Sequence, residues 1–409
     1  MGRNKDFICL MVGQAVSQVG DKLHLIALVS WVLSVTGSPA KMGLVLAVSL
    51  LPSLILGLVS GAWIDRYPVK RFLVGPDVIR GILLVGFGLA MIQGEVSFAA
   101  VLVLQALLSV NAAFFDPAVP TAIPRIVEPR ELTRANSLHQ SIAGLATVVG
   151  ACLGGLLAAR LGYGLLFFLN GISFLISGAM EARISIPDGG KAESPSESQW
   201  DMIKSGYAHI LGHALLPGIL FMVMVIHAAV GGIEVLMPVM AHDLARDGAK
   251  LLGFAQAAFG SGAFLVGALA SATSCLAGRE RLALFGGVAA MGLVSALGAW
   301  GVDGTAGQVL FLGMVFCWGG GMMVAAAGFR SLIQMETRED FRGRVFALAG
   351  SLGNASLPLA MAGYGMVLNR AGHPVILGIT GLSLVILAMI ALKIFNGGKD
   401  ERKEESIQP

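Results

Sequence analysis

The chain reads as an all-α integral membrane protein of twelve transmembrane helices in two parallel six-helix repeats. Three observations predict this. The 409 residues are 56% hydrophobic and only 13% charged, with a mean hydropathy of +0.79, which excludes the soluble globular classes. Apolar stretches of about 20 residues recur from end to end, the length a helix needs to cross a bilayer core. One long polar break, 184–212, separates them into two sets of six.

The segments are predicted near 8–33, 42–63, 72–92, 97–120, 137–158 and 163–183, then 215–240, 251–275, 281–300, 306–328, 344–368 and 373–395. The first begins at Phe7 behind Arg3 and Lys5, runs long and lacks a small-residue cleavage site, so it is expected to be a retained helix and not a signal peptide. The predicted domains are a six-helix bundle over 1–183, a cytoplasmic linker over 184–214, a second bundle over 215–396 and a cytoplasmic tail over 397–409. An amphipathic helix is expected in the linker near 200–210. The halves align weakly at an offset of about 208, which sets Arg130–Arg134 against Arg338–Arg342. Since six is even, both repeats have the same orientation.

Lys and Arg concentrate in one set of loops. The alternate loops hold only Lys41, Arg160, Arg246, Lys250 and Arg370, and Lys22 lies inside the first segment. This positive-inside bias predicts that both termini are cytoplasmic. It also accounts for the net charge of +3, so no nucleic-acid partner is implied. Cys9, Cys152, Cys275 and Cys317 lie far apart within helices and are expected to be buried free thiols.

Between the second and third segments stands Gly61-Ala-Trp-Ile-Asp65-Arg66-Tyr-Pro-Val-Lys70-Arg71. The glycine lets one helix approach another, Asp65 can hold the free amides of a facing helix end, and the basic residues fix the turn on the cytoplasmic side. The pattern resembles the signature loop of the major facilitator superfamily, with Pro68 and Val69 replacing the usual glycine and first basic residue. Gly13-Gln14-Ala-Val-Ser17-Gln18-Val-Gly20-Asp21 is similar to the first helix of that superfamily's drug:proton antiporter-3 branch, which includes macrolide efflux proteins and enterobactin exporters. Phe115-Asp116-Pro117-Ala118, Ile123-Pro124 and Ala135-Asn136-Ser137 resemble the branch's connection between helices 4 and 5. Arg342-Gly343-Arg344-Val345-Phe346 resembles its connection between helices 10 and 11. These matches run from Gly13 to Gly363.

The resemblance implies a major facilitator fold and a monomeric secondary transporter in a bacterial inner membrane. It works by alternating access on a small-molecule substrate, exchanged for protons across the lipid bilayer. Efflux of a small amphipathic compound is the leading expectation. A siderophore exporter, a lysophospholipid flippase and a transport-dead membrane sensor are the alternatives. Gly150-Ala151-Cys152-Leu153-Gly154-Gly155 resembles the family's antiporter motif with Ala151 in place of proline, and it is expected to pack against helix 11 at Pro358 and Gly363. The arginine that many proton antiporters carry in helix 4 is absent, since 97–120 contains no Lys or Arg.

Ionisable groups at membrane depth are costly and mark function. Asp21 and His24 share a face of the first helix, Glu234 pairs with His24 in the repeat, and His227 lies two turns earlier. These four are the candidates for proton coupling or substrate contact. Gln105, Asn111, Phe114, Phe115 and Trp318 are candidate cavity-lining residues. Gly61, Asp65, Arg66, Lys70 and Arg71, with Asp77, Arg80, Arg342 and Arg344, form a candidate cytoplasmic gate. No enzymatic activity and no cofactor or metal are expected, because the chain has no G-x-x-x-x-G-K-[ST] phosphate loop, no H-E-x-x-H and no Ser/His/Asp arrangement that sequence supports.

Overall fold

The computed structural model describes residues 4–94, 96–187, 199–273, 278–300 and 304–405. The helices are α1 (Lys5–Thr36), α2 (Pro39–Arg66), α3 (Val69–Ile92), α4 (Phe98–Ile126), α5 (Leu132–Leu161), α6 (Tyr163–Glu181), α7 (Gln199–Leu211), α8 (Leu216–Leu244), α9 (Gly248–Thr273), α10 (Glu280–Gly298), α11 (Gly304–Glu336) and α12 (Arg342–Glu405). All but α7 contain a stretch long and apolar enough to cross a membrane, eleven among the described residues. α12 is two helices joined at Gly372 (φ 71°, ψ 161°), so the twelve spans are accounted for. The amphipathic linker helix is α7.

Local chemistry sets the boundaries. Asn4 caps α1 by accepting from the Phe7 N–H at 3.0 Å, and its own amide donates to Ile126 O at 2.7 Å, tying the start of α1 to the end of α4. Gly37, in the left-handed region at φ 58°, ends α1 with its N–H on Leu33 O. Pro52 interrupts α2, and the next amide, Ser53 N, donates to Ser109 Oγ of α4 at 3.0 Å. A side chain thus satisfies backbone in a setting without water to do so. Large apolar side chains stand on the outer surface, among them Ile82 at 62%, Phe264 at 72% and Leu359 at 71% exposure, as lipid-facing helices require.

Contacts divide the chain into two units. The first holds Met1–Ser194 with Met237–Ala257, the second Pro195–Leu236 with Ala258–Pro409. The tip joining α8 to α9 therefore belongs with the first unit, not with the second bundle. Small residues explain the difference: a Cβ on Gly155 of α5 would lie 2.7 Å from Ala249 O. Within the first unit α3 packs on α6, α1 on α5 and α6, and α2 on α4. Phe7, Leu73, Ala118 and Ile123 are fully buried in an apolar core at one end of α1, α3 and α4. Within the second unit α10 packs on α11 and α12, and α7 on α12.

The repeat is visible in the backbone. Gly162 before α6 has φ 78°, ψ 161°, and Gly372, 210 positions later, has nearly the same pair. A 3₁₀ turn, Pro129–Glu131, leads into α5, and its counterpart Glu339–Phe341 leads into α12.

Three of the cysteines are free thiols, but they are less buried than expected. Cys9 and Cys152 are half-buried and Cys317 is exposed. Cys275 lies outside the described residues.

Candidate functional site

α1 carries the polar centre of the first unit. The pattern Gly13, Gln14, Ser17, Gly20, Asp21, His24 keeps small and polar groups on the side of α1 that meets α5 and α6. Gly20 fits so closely against Asn170 and Ser173 of α6 that a Cβ there would overlap both side chains. Asn170 Nδ2 donates to Asp21 Oδ1 at 3.3 Å, and Ser173 Oγ donates to Asn170 O at 2.7 Å. The Asp21 carboxyl is therefore held by α6, not by its sequence neighbours Lys22 or His24. Lys22 instead lays its stem over Gly150 of α5, where a Cβ would come within 2.6 Å of the Lys22 Cβ.

His24 is buried at 7% exposure. Its Nε2 lies 3.0 Å from Gln105 Nε2 of α4, and Ser49 Oγ of α2 donates to Gln105 Oε1 at 3.0 Å. The ring stands edge-on to Phe167 of α6 at 4.4 Å between centroids. With the Gln105 amide donating, His24 Nε2 is the acceptor and the ring proton sits on Nδ1, which has no hydrogen-bond partner among the described residues. The structure thus joins two residues that the sequence had placed in separate groups, one as a coupling candidate and one as cavity wall.

Other cavity candidates have different partners. Asn111 donates to Leu107 O of its own helix at 2.8 Å. Phe114 stacks on Phe72 at 6.1 Å. Phe115 is buried beneath the Arg80 guanidinium, 4.9 Å from the ring centroid. Trp318 is only 1% exposed and donates from Nε1 to Ser295 Oγ at 3.0 Å, as a core residue of the second unit does. Glu234 and His227 lie on α8. The His227 ring packs on Gly353 of α12, where a Cβ would be 2.7 Å from Cε1, and its Nδ1 lies 2.9 Å from Val223 O.

The gate candidates separate into exposed and buried sets. Arg66 and Arg71 are exposed and Lys70 half-buried, while the side chain of Asp65 lies outside those described. Gly61 faces open space, with no atom within 4 Å of an added Cβ, so close helix approach is not its role in this structure. Arg342 Nε donates to Thr337 O at 3.3 Å and Arg344 to Ser205 Oγ of α7. His209 of α7 stacks on Phe341 at 4.3 Å and 9°. Asp77 and Arg80 are not on an exposed cytoplasmic face. They are 0% and 6% exposed, because α3 turns them inward toward α1 and α6.

The antiporter-like glycines also have partners other than those expected. Gly150 and Gly154 meet Lys22, Leu23 and Ile26 of α1, and Gly155 meets Ala249 and Gly253 of α9. Pro358 is buried in the second unit, and an added Cβ on Gly363 would touch nothing within 4 Å.

Sequence reasoning missed Glu181, which is 0% exposed and accepts from Gln14 Nε2 at 3.1 Å. It missed Asn170 as well. A signal was present: Asn170, Ser173, Ser177 and Glu181 recur at spacings of three and four, a polar stripe along one face of an apolar helix.

A family model for the Major Facilitator Superfamily matches residues 10–361. The chain belongs to the major facilitator superfamily. It is 25% identical over 406 residues to the uncharacterized MFS-type transporter YfiS of Bacillus subtilis (strain 168), covering 95% of this chain and 93% of that one. It is 26% identical over 399 residues to the multidrug efflux pump Tap of Mycobacterium tuberculosis, covering 94% and 92%. It is 22% identical over 390 residues to macrolide efflux protein A of Streptococcus pyogenes, covering 94% of each. Among solved structures, the nucleoside transporter NupG superimposes with a TM-score of 0.77 at 13% identity, covering 95% of this chain and 98% of that one. A bacterial homologue of the iron transporter ferroportin in an inward-facing state does so with a TM-score of 0.70 at 18% identity, covering 96% and 98%. The superfamily member described here is thus a multi-pass membrane transporter with the major facilitator fold.

Proposed function

We propose that this transporter is an exporter of a small amphipathic compound, driven by proton antiport through alternating access, in a bacterial inner membrane with both termini cytoplasmic. The observation that carries the reading is the pair of polar anchors on α1, with Asp21 held by Asn170 and His24 by Gln105, inside an apolar membrane-spanning segment. Ionisable groups at that depth are retained for transport chemistry. Relatives that align end to end and include a macrolide efflux protein and a multidrug efflux pump support the outward direction and the substrate class.

In this reading Asp21 takes up a proton from the outer side and releases it to the cytoplasm in each cycle. The Asn170 amide, a donor, favours the ionised carboxylate. Protonation removes the charge that Asn170 holds and frees the α1–α6 contact to rearrange. Glu234 and His227 supply polar contacts from α8. The exposed basic side chains of the α2–α3 turn stay on the cytoplasmic side and take part in closing the gate.

The test is accumulation of macrolides and amphipathic dyes in cells lacking their own pumps, with and without an uncoupler. It is paired with transport by purified protein in proteoliposomes carrying Asp21→Asn. Expression should lower accumulation, the uncoupler should restore it, and the variant should bind substrate without pH-dependent turnover. Asp21 is exposed in this structure, and wild-type turnover by Asp21→Asn across roughly pH 5.5–8.5, a window on the order of a few units around neutrality, would remove Asp21 from the coupling mechanism.

A further inference from the structure

Where α1, α3 and α6 meet, the first unit buries more hydrogen-bond acceptors than it supplies donors. Asp77, Ser177 and Glu181 are each 0% exposed. Asp77 Oδ1 and Oδ2, Glu181 Oε2 and Ser177 Oγ make no well-formed hydrogen bond among the described residues, although the Ser177 hydroxyl lies near enough to the Asp77 carboxyl to act on it. Glu181 Oε1 alone is served, by Gln14 Nε2 at 3.1 Å. These groups form one cluster. Ser177 and Glu181 lie one turn apart on the same face of α6. Asp77 of α3 packs at the level between them, since a Cβ on Gly178 would lie 3.3 Å from the Asp77 Cβ. α1 closes the third side, where a Cβ on Gly13 would lie 3.2 Å from Ser177 Oγ.

The charged and titratable groups facing this cluster are few. Arg80 of α3 is the cation within electrostatic range of both carboxyls, with its guanidinium spread over the rings of Phe115 of α4 and Phe174 of α6 at 4.9 and 5.3 Å. Asp21 of α1 and Asp116 of α4 lie in the field of the same guanidinium. The Cys9 thiol of α1 is turned to Met180 O at 3.3 Å.

Asp77 and Glu181 share one guanidinium, which Asp21 and Asp116 share as well, so the two together leave at least one negative charge uncompensated, and a protein interior does not sustain it. A single proton supplies both missing elements: it cancels the charge and turns one orphaned oxygen into a donor for another. The fold itself does not need the charges. α3 crosses α6 with Gly81 facing Gly171, and α10 crosses α12 with Gly292 facing Gly381. In that common register Asp77, Arg80 and Glu181 correspond to Val288, Met291 and Ala391.

We propose that Asp77 and Glu181 form a binding site for one exchangeable proton, held between the two carboxyl groups and separate from Asp21. Its use in transport rests on the antiport reading above, but the binding of the proton does not.

The experiment is infrared difference spectroscopy across pH steps on the purified full-length protein in detergent, in H₂O and D₂O. The wild type should show the C=O band of a protonated carboxyl group, shifted in D₂O. In an Asp21→Asn background, which removes the titration of Asp21 itself, the band should be retained; there Asp77→Asn and Glu181→Gln should each abolish it, and Glu181→Asp should restore it at a shifted pH. A wild-type protein without the band overturns the proposal, as does a band in the Asp21→Asn background that survives either further substitution. Loss of the band in Asp21→Asn assigns the proton to Asp21 and overturns it too, a decisive arm even if Asp77→Asn fails to fold. Loss of the band on replacing choline by sodium at constant pH and ionic strength would make this a metal-cation site and sink the proton assignment. If antiport is absent while the band behaves as expected, the transport reading fails alone.

Discussion

In the first unit α3 crosses α6 where Gly81 and Gly171 face each other, and in the second α10 crosses the far half of α12 where Gly292 and Gly381 do the same. Both joints bring backbone against backbone, as small residues allow between membrane helices. Their fillings differ. The first joint buries Asp77, Arg80 and Glu181 beside Gln14, whereas Val288 and Met291, both fully buried, occupy the corresponding places on α10. One chain therefore solves the same packing problem with charges and without them. The apolar joint shows what the fold requires, and the extra chemistry of the charged one is the part to be explained by function.

Removing the Arg80 cation from the charged joint should have the largest effect. Arg80→Met leaves the buried carboxylates uncompensated and should cost about 3–5 kcal/mol, the usual consequence of breaking a buried ion pair from one side. Thermal unfolding in detergent measures it. Installing the apolar joint's residues together, as Asp77→Val/Arg80→Met/Glu181→Ala, should return stability to the wild-type level or above it by about 1–4 kcal/mol, since a well-packed apolar replacement removes the desolvation penalty entirely. The triple variant should nonetheless lose pH-dependent transport. Wild-type transport by a stable triple variant would mean that the contrast between the joints has no functional content.

A middle-sized effect should appear equally in both joints. Gly88→Val would push a side chain into Phe168 of α6, where a Cβ already comes within 2.5 Å of Phe168 N, and Gly292→Val would do the same against α12, where a Cβ comes within 2.7 Å of Gly381 O. Each should cost about 1–3 kcal/mol by overpacking. A large difference between the two would show that the joints are not equivalent frameworks.

The frameworks were legible in the sequence, and the filling of the charged joint was only half so. Segment length and the loop distribution of Lys and Arg report the bilayer directly, which is why the twelve spans and the linker helix emerged. Sequence groups Asp77 and Arg80 with the basic turn in a cytoplasmic gate, because it gives no rotation of α3 about its axis. Glu181 ends an apolar run next to Arg183 and looks like any helix end at the membrane surface. Only the three-dimensional meeting of α3 with α6 shows that it is buried. The glycines were read as helix-packing sites throughout, yet composition cannot say which face of a helix meets a neighbour.

That last ambiguity yields the smallest expected effect and the clearest contrast with the joints. Gly61 of α2 and Gly363 of α12 face space in which a Cβ would meet no atom within 4 Å, and both lie inside helices. Alanine there adds no clash and removes the backbone freedom that glycine brings to the unfolded chain, so Gly61→Ala and Gly363→Ala should leave stability unchanged or raise it by up to about 1 kcal/mol. Unfolding midpoints of the two variants, measured beside Gly88→Val, test this. A loss of stability comparable to the Gly88 variant would mean that these helices are packed more tightly than described. Unchanged stability with reduced transport would be more informative still. It would place the close approach that the signature loop's glycine serves in another conformation of the transport cycle, and Gly61 would then distinguish a working gate from a static turn.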